Sequence, residues 1–199
     1  ETIIIKDIAL RYNIRETAKL QDLSKFYATN ISNLISINKI KDILNLSLER
    51  TQKFSEYLES SYLVSFVPKF DYSLKKQIAN PKKIYLTDLG IRNIASFRFS
   101  DDEGRLLENL VYNNLKMSGK EIYYYKTSNN LEIDFAVKIE KKISSLIQVV
   151  SFFEKFDVRE REINALKKGM QENKMKEGFI LTSEKEEIIE EDGLRIIVK

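Results

Sequence analysis

The stretch GRLLENLVYNNLKMSGKEIYYYKTSNNLEIDFAVKIEKKISSLIQVV, residues 104–150, holds the pattern from which the rest of the chain can be read. From about residue 102 to 117, Leu107, Leu110, Val111 and Asn114 recur at helical spacing, with Gly104, Glu108, Tyr112 and Leu115 on the neighbouring stripe. That periodicity predicts a helix with Glu108 near its buried edge. EIYYYK then reads as a strand, Ser128-Asn129-Asn130 as a hairpin turn, and LEIDFAVK as a strictly alternating strand. Leu131, Ile133, Phe135 and Val137 take one face; Glu132, Asp134, Ala136 and Lys138 take the other. After a turn at Glu140-Lys141, KISSLIQVV has the continuous apolar end of a central strand, with Gln148 and Val150 on the same face.

Toward the C-terminus, DVREREINALKKGMQENKM is a helix with Ile163, Leu166 and Met170 inward, placed to serve as a crossover to a parallel strand. GFILT and LRIIV are two more strands, and the acidic piece from Glu184 to Asp192 between them reads as a short exposed helix or loop.

Toward the N-terminus, Leu20, Leu23, Tyr27, Ile31 and Leu34 give a helix from Ile14 to about Leu34, with a possible break at Asn30. Ser36 caps a short helix with Ile37, Ile40 and Leu44 inward. Asn45-Leu46 turns the chain, and Ser47 caps a third helix with Thr51, Phe54 and Leu58 inward. This is helix-turn-helix spacing. SYLVSFVPKF and KKIYLTD follow as two strands joined by the polar loop DYSLKKQIANP, which completes the parts of a winged helix. Arg50, Gln52 and Lys53 lie off the apolar stripe of the third helix, and Lys75, Lys76, Lys82 and Lys83 sit in or beside the wing. These side chains are the candidates for contact with double-stranded DNA, although winged helices also serve as protein-interaction modules. Gly90 marks a turn, the run Asp101-Asp102-Glu103 caps the next helix, and the boundary between halves falls near residue 97.

Composition narrows the chemistry. With no cysteine and no histidine in 199 residues, disulfides, thiolate nucleophiles, zinc sites of the usual kind and imidazole acid/base catalysis are excluded. Any metal would rest on carboxylates, carbonyls and water, which suits Mg²⁺ or Mn²⁺. The net charge of +3 conceals a split: residues 1–100 hold 16 Lys/Arg against 10 Asp/Glu, and residues 101–199 hold 17 against 20. The basic half is the one suited to phosphate. No apolar run of membrane-spanning length and no signal-peptide pattern appears, so a cytoplasmic protein that does not enter membranes is expected.

A carboxylate on a helix, an Asp in one strand and a polar-x-Lys step in the next describe the metal-binding core of a PD-(D/E)XK nuclease. The order of parts is similar to the region that follows the P-loop domain in a widespread family of prokaryotic AAA-superfamily ATPases. In that family a winged helix precedes a nuclease-like domain of unknown function. KDIALRYNI, ILNLSLERTQKFSEYLESSYLVSFVPKF, NPKKIYLTDLGIRN, and GRLLENLVYNNL leading to YYYKTSNNLEIDFAV and LIQVV carry the resemblance, over roughly residues 5–155. It implies an α/β chain: a winged-helix domain with leading helices over residues 1–97, and a restriction-endonuclease-like mixed sheet flanked by helices over 98–199. It also implies an ATPase domain in the same or a partner chain. The chain has no Gly-x-x-x-x-Gly-Lys-Ser/Thr loop, and a C-terminal fragment or a relative without its motor is expected.

Glu108, Asp134 and Gln148 match the family's acidic or polar catalytic positions, with Glu108 and Asp134 as the metal ligands of an active site. Val150 stands where the family has Lys. A hydrocarbon side chain neither orients nor acidifies water, so the site reads as degenerate unless Lys138 or Lys126 reaches it from elsewhere. The expectation is a scaffold that does not cut and needs no cofactor. Mg²⁺ or Mn²⁺ enters only if the site is active.

Overall fold

The computed structural model describes residues 4–90 and 103–199. These group into two compact units, one made of residues up to 67 together with those from 80, the other of 68–79 together with the C-terminal half.

In the first unit, a wide helical turn at Ile4–Ala9 precedes α1 (Thr17–Thr29). Asn30 ends α1: its amide N–H donates to the carbonyls of Phe26 and Tyr27, and its side chain donates to Phe26 O at 2.8 Å. The helix is therefore shorter than the apolar spacing suggested. Ile31 still enters the core, but the chain then turns through Ser32 at φ 62° into β1 (Leu34–Ile35).

α2 (Ile37–Leu44) closes on Asn45 in the left-handed region at φ 50°. α3 (Leu48–Ser60) starts from Ser47, whose Oγ accepts the Arg50 amide at 3.2 Å. Thr51, Phe54 and Leu58 are buried as their spacing required. Beneath them the Tyr27 hydroxyl and Ser55 Oγ share a hydrogen bond of 2.6 Å, and burial pushes the Tyr27 phenol up to about 12. β2 (Val64–Val67) and β3 (Lys82–Leu86) pair antiparallel, and β1 adds on the far side of β3 to give the order β1-β3-β2.

The polar stretch DYSLKKQIANP is not all loop, since it carries a short exposed helix, and the residue before it is an anchor. Phe70 N–H donates to Tyr124 O at 2.8 Å, Phe70 packs edge-on against Tyr123, and α4 (Leu74–Ala79) follows. An apolar anchor inside the sequence FDYSLKK draws this segment into the second unit.

The second unit is a six-stranded mixed sheet flanked by helices. Its strands are β4 (Glu121–Lys126), β5 (Glu132–Ile139), β6 (Lys142–Val149), β7 (Glu177–Leu181), β8 (Glu187–Glu191) and β9 (Leu194–Val198), in the order β4-β5-β6-β7-β9-β8. β6, β7 and β9 run parallel, and the other pairs are antiparallel. α6 (Phe156–Glu172) crosses from β6 to β7, burying Ile163, Leu166 and Met170 against Ile133, Ala136, Leu146, Val150 and Ile180. Gly169 permits the close approach, because a Cβ there would lie 2.3 Å from Ile133 Cδ1.

α5 (Glu103–Met117) buries Glu108, Asn109 and Tyr112, while Leu110 is 50 % exposed. The buried face is thus rotated from the one that Leu107, Leu110, Val111 and Asn114 marked. Its centre is Tyr112, whose ring stacks on Phe135 of β5. The interdomain boundary near residue 97 and the caps Asp101 and Asp102 lie outside the described residues.

Two expectations for the sheet are corrected. The acidic piece from Glu184 to Asp192 contains strand β8, whose charge is met by basic residues of α6: Arg159 pairs with Glu187, and Lys167 with Glu191 and Asp192 at 2.9 and 2.6 Å. β5 does not alternate strictly either. Tyr125 faces Ile133 but Tyr123 faces Ala136, so β5 carries an extra residue between those positions, beside Asp134 and Phe135.

At the β4–β5 hairpin, Glu172 from the end of α6 accepts from the Ser128 amide at 2.9 Å, the Ser128 hydroxyl at 2.6 Å and the Tyr125 hydroxyl at 2.8 Å. Burial opposes ionisation of Glu172, but the Ser128 and Tyr125 donors outweigh it and hold this carboxyl below its ordinary value of 4.5. Burial, with the Glu172 carboxylate beside it, pushes Tyr125 up to about 12. A group whose folded value is depressed contributes stability above the unfolded value and loses it as pH falls through the folded one. Glu172→Gln is therefore expected to cost about 1–2 kcal/mol near neutral pH. In urea melts taken across pH, the gap from the parent protein should narrow below pH 4.5. A gap that does not change with pH would show that the charge is immaterial.

Candidate functional site

The strand ends bring Asp134 and Gln148 together. Gln148 Oε1 accepts the Asp134 amide at 3.1 Å, and the Asp134 carboxylate accepts the Val149 amide at 2.9 Å. The other end of the Gln148 amide donates to Glu162 of α6, whose second oxygen accepts from Arg161 Nε at 2.9 Å. Asp134, Gln148 and Glu162 are all buried. They form a closed chain of polar bonds that ties β5, β6 and α6 into one piece.

Glu162 escaped the sequence reading. It shares a helical stripe with Leu166, Gly169 and Met170, and that spacing would have marked it as an inward carboxylate needing a partner.

Val150 lies among Phe153, Leu166 and the other hydrocarbon side chains of the core, and its amide donates to Leu181 O at 2.9 Å. Glu108 is buried on α5. Lys138 is engaged by Glu121 at 2.6 Å, and that carboxylate raises its pKa. Lys126 lies 3.8 Å from Glu132. Among the described residues, no three carboxylates come together in a metal-holding group.

The basic candidates are divided. On α3, Arg50 pairs with Glu16 at 2.6 Å and Lys53 with Glu49 at 2.8 Å, while Gln52 is exposed. Lys82 is exposed at the start of β3, but Lys83 is 1 % exposed and withdrawn from any phosphate. β3 is the central strand of its sheet and is buried from Lys83 onward, so only the first of two adjacent lysines stays outside, which their shared charge concealed. Lys75 and Lys76 lie exposed on α4, in the second unit.

Among the described residues no helix is long and apolar enough to cross a membrane. The chain is similar to an uncharacterized protein of Methanocaldococcus jannaschii, 32% identical over 209 residues that cover 94% of this chain and 46% of the relative. It is also similar to an uncharacterized protein of Haemophilus influenzae, 26% identical over 202 residues that cover 99% of this chain and 48% of the relative. The chain spans about half the length of these curated relatives. No solved structure matches. Residues 103–197 match the family model of a domain of unknown function, DUF4143, a domain commonly found with AAA ATPases. Residues 1–103, more than half of the chain, match that of another domain of unknown function, DUF8612, and the chain belongs to this family.

Proposed function

We propose that the chain is a binding and coupling module of an ATPase-type protein. Its N-terminal half acts as a winged helix toward double-stranded DNA or toward the ATPase domain. Its C-terminal half is a restriction-endonuclease-like scaffold that does not cut. The observation that carries this reading is the fate of β6: Val150 is part of the hydrocarbon core, and Gln148 spends both ends of its amide on Asp134 and Glu162. A hydrolytic centre needs an ion and an activated water at this place, and these side chains are committed to one another. The module is read as cytoplasmic.

Incubation with supercoiled, single-stranded and forked DNA in Mg²⁺ or Mn²⁺ is expected to give no cleavage, while a duplex gives a salt-sensitive mobility shift. Cleavage that disappears in Asp134→Ala would overturn the scaffold reading. The pairing of Arg50 with Glu16 and of Lys53 with Glu49 favours a second reading, a protein-interaction module without DNA contact. A duplex shift abolished by Arg50→Ala with Lys53→Ala would remove it.

A further inference from the structure

Arg50 and Lys53 do not project from a convex surface. With Tyr12, Arg15, Glu16 and Tyr57 they line a cleft of about 430 Å³ between α3 and the residues that lead into α1. Tyr12 and Tyr57 lie half-buried in its lining, with ring centroids 3.8 Å apart and planes 11° from parallel; the Tyr12 hydroxyl reaches Ser60 Oγ at 3.0 Å. We propose that this cleft takes a single unpaired nucleotide, with the phosphate against Arg15, Arg50 and Lys53 and the base against the tyrosine pair. This rests on the reading of α3 as a nucleic-acid-facing helix and specifies what it faces.

Shape argues first. Duplex readout uses a helix that enters the major groove with its side chains projecting, whereas here they border an open cleft with room for a small ligand to lie against them. Charge argues second. Three cations and two carboxylates, Glu16 and Glu49, line the cleft. The surplus of one positive charge matches one phosphodiester and not a run of them, and the carboxylates are acceptors for base amino or ribose hydroxyl groups. Aromatic rings beside basic groups are the usual means of holding splayed bases. Glu16 and Glu49 occupy Arg50 and Lys53 in the meantime, so a phosphate binds by exchange with them.

The test is fluorescence anisotropy of the full chain with labelled single-stranded decamers of dT and dA, a blunt duplex of equal length, and unlabelled AMP as competitor. Arg15→Ala, Arg50→Ala and Tyr57→Leu are each expected to weaken single-strand binding at least tenfold, and Lys39→Ala, exposed on α2 and outside the cleft lining, to leave it unchanged. The salt slope should be about 0.7, the value for one phosphate on a single strand. Competition by AMP at the strand's own affinity would identify a free nucleotide as the source of the same chemistry and would support the site. A duplex that binds more tightly than the strand and is indifferent to Arg15→Ala and Tyr57→Leu would overturn the cleft and leave the DNA-module reading standing. No binding of any nucleic acid would overturn both. Melting curves separate loss of the ring pair from loss of the fold, and Arg15→Ala, at an exposed position, carries the test if Tyr57→Leu unfolds.

Discussion

Val150→Lys is expected to destabilise the protein by about 3–5 kcal/mol, the scale of an uncompensated buried charge, and to restore no cleavage. Val150 is 6 % exposed, with Phe153, Ile163, Leu166, Met170 and Ile180 in the same cluster. An ammonium placed there needs a carboxylate, and the buried carboxylate on the facing helix is Glu162. Both oxygens of Glu162 already accept hydrogen bonds, from Gln148 and from Arg161. The lysine would have to break that chain or remain charged in hydrocarbon. Val150→Ile, which preserves the chemistry, should cost far less. Urea melts of the two variants make the comparison. If the lysine variant melts like its parent, β6 still keeps a polar place for the residue that nucleases use there, and the case for a scaffold collapses.

Phe135→Ala should cost a similar amount, about 3–5 kcal/mol, and the loss should concentrate on α5. Phe135 is fully buried, sits beside the extra residue of β5, and meets Tyr112 with ring centroids 6.4 Å apart and planes 25° from parallel. α5 buries only Glu108, Asn109 and Tyr112, two of them polar. A helix with so little hydrocarbon in its buried face depends heavily on the contact of Tyr112 with Phe135. Global stability from denaturant melts measures the cost, and hydrogen exchange over residues 103–117 locates it. A loss below about 1 kcal/mol, with α5 as protected as before, would show that the polar face anchors this helix unaided.

Much of this architecture was legible because periodicity survives translation into structure. Thr51, Phe54 and Leu58 on α3, and Ile163, Leu166 and Met170 on α6, are inward as their spacing demanded. The parallel step from β6 to β7 follows from a helix long enough to cross between them. What was hidden involves single residues. One extra residue in β5 leaves its composition unchanged but breaks the alternation from Ile133 to Ala136. The face of α5 was misplaced because leucine outranks glutamate and asparagine on any hydropathy count, while the fold buries Glu108 and Asn109 and leaves Leu110 half out. β8 was concealed by its charge, since Glu187 and Glu191 become acceptable in a strand only when α6 brings Arg159 and Lys167 opposite them. At the candidate site, the pairing of Asp134 with Gln148 could be anticipated from adjacent strands. Glu162, arriving from a later helix, was marked only by the stripe it shares with Leu166, Gly169 and Met170, and nothing in the sequence named Gln148 as its partner.

β8 forms one margin of the six-stranded sheet, with β9 on one side and, among the described residues, no strand on the other. At the opposite margin, the backbone at Pro68 and Phe70 covers part of β4. Uncovered strands invite a second molecule to continue the ladder, and a flat, uncharged one would seed fibres. In EIIEE, Glu187 and Glu191 are held by Arg159 and Lys167 and Glu190 is exposed, so a second strand arriving at that border meets ion pairs and a carboxylate where a fibre needs flat hydrocarbon. The charge that disguised this strand also makes its border a poor template for a further copy.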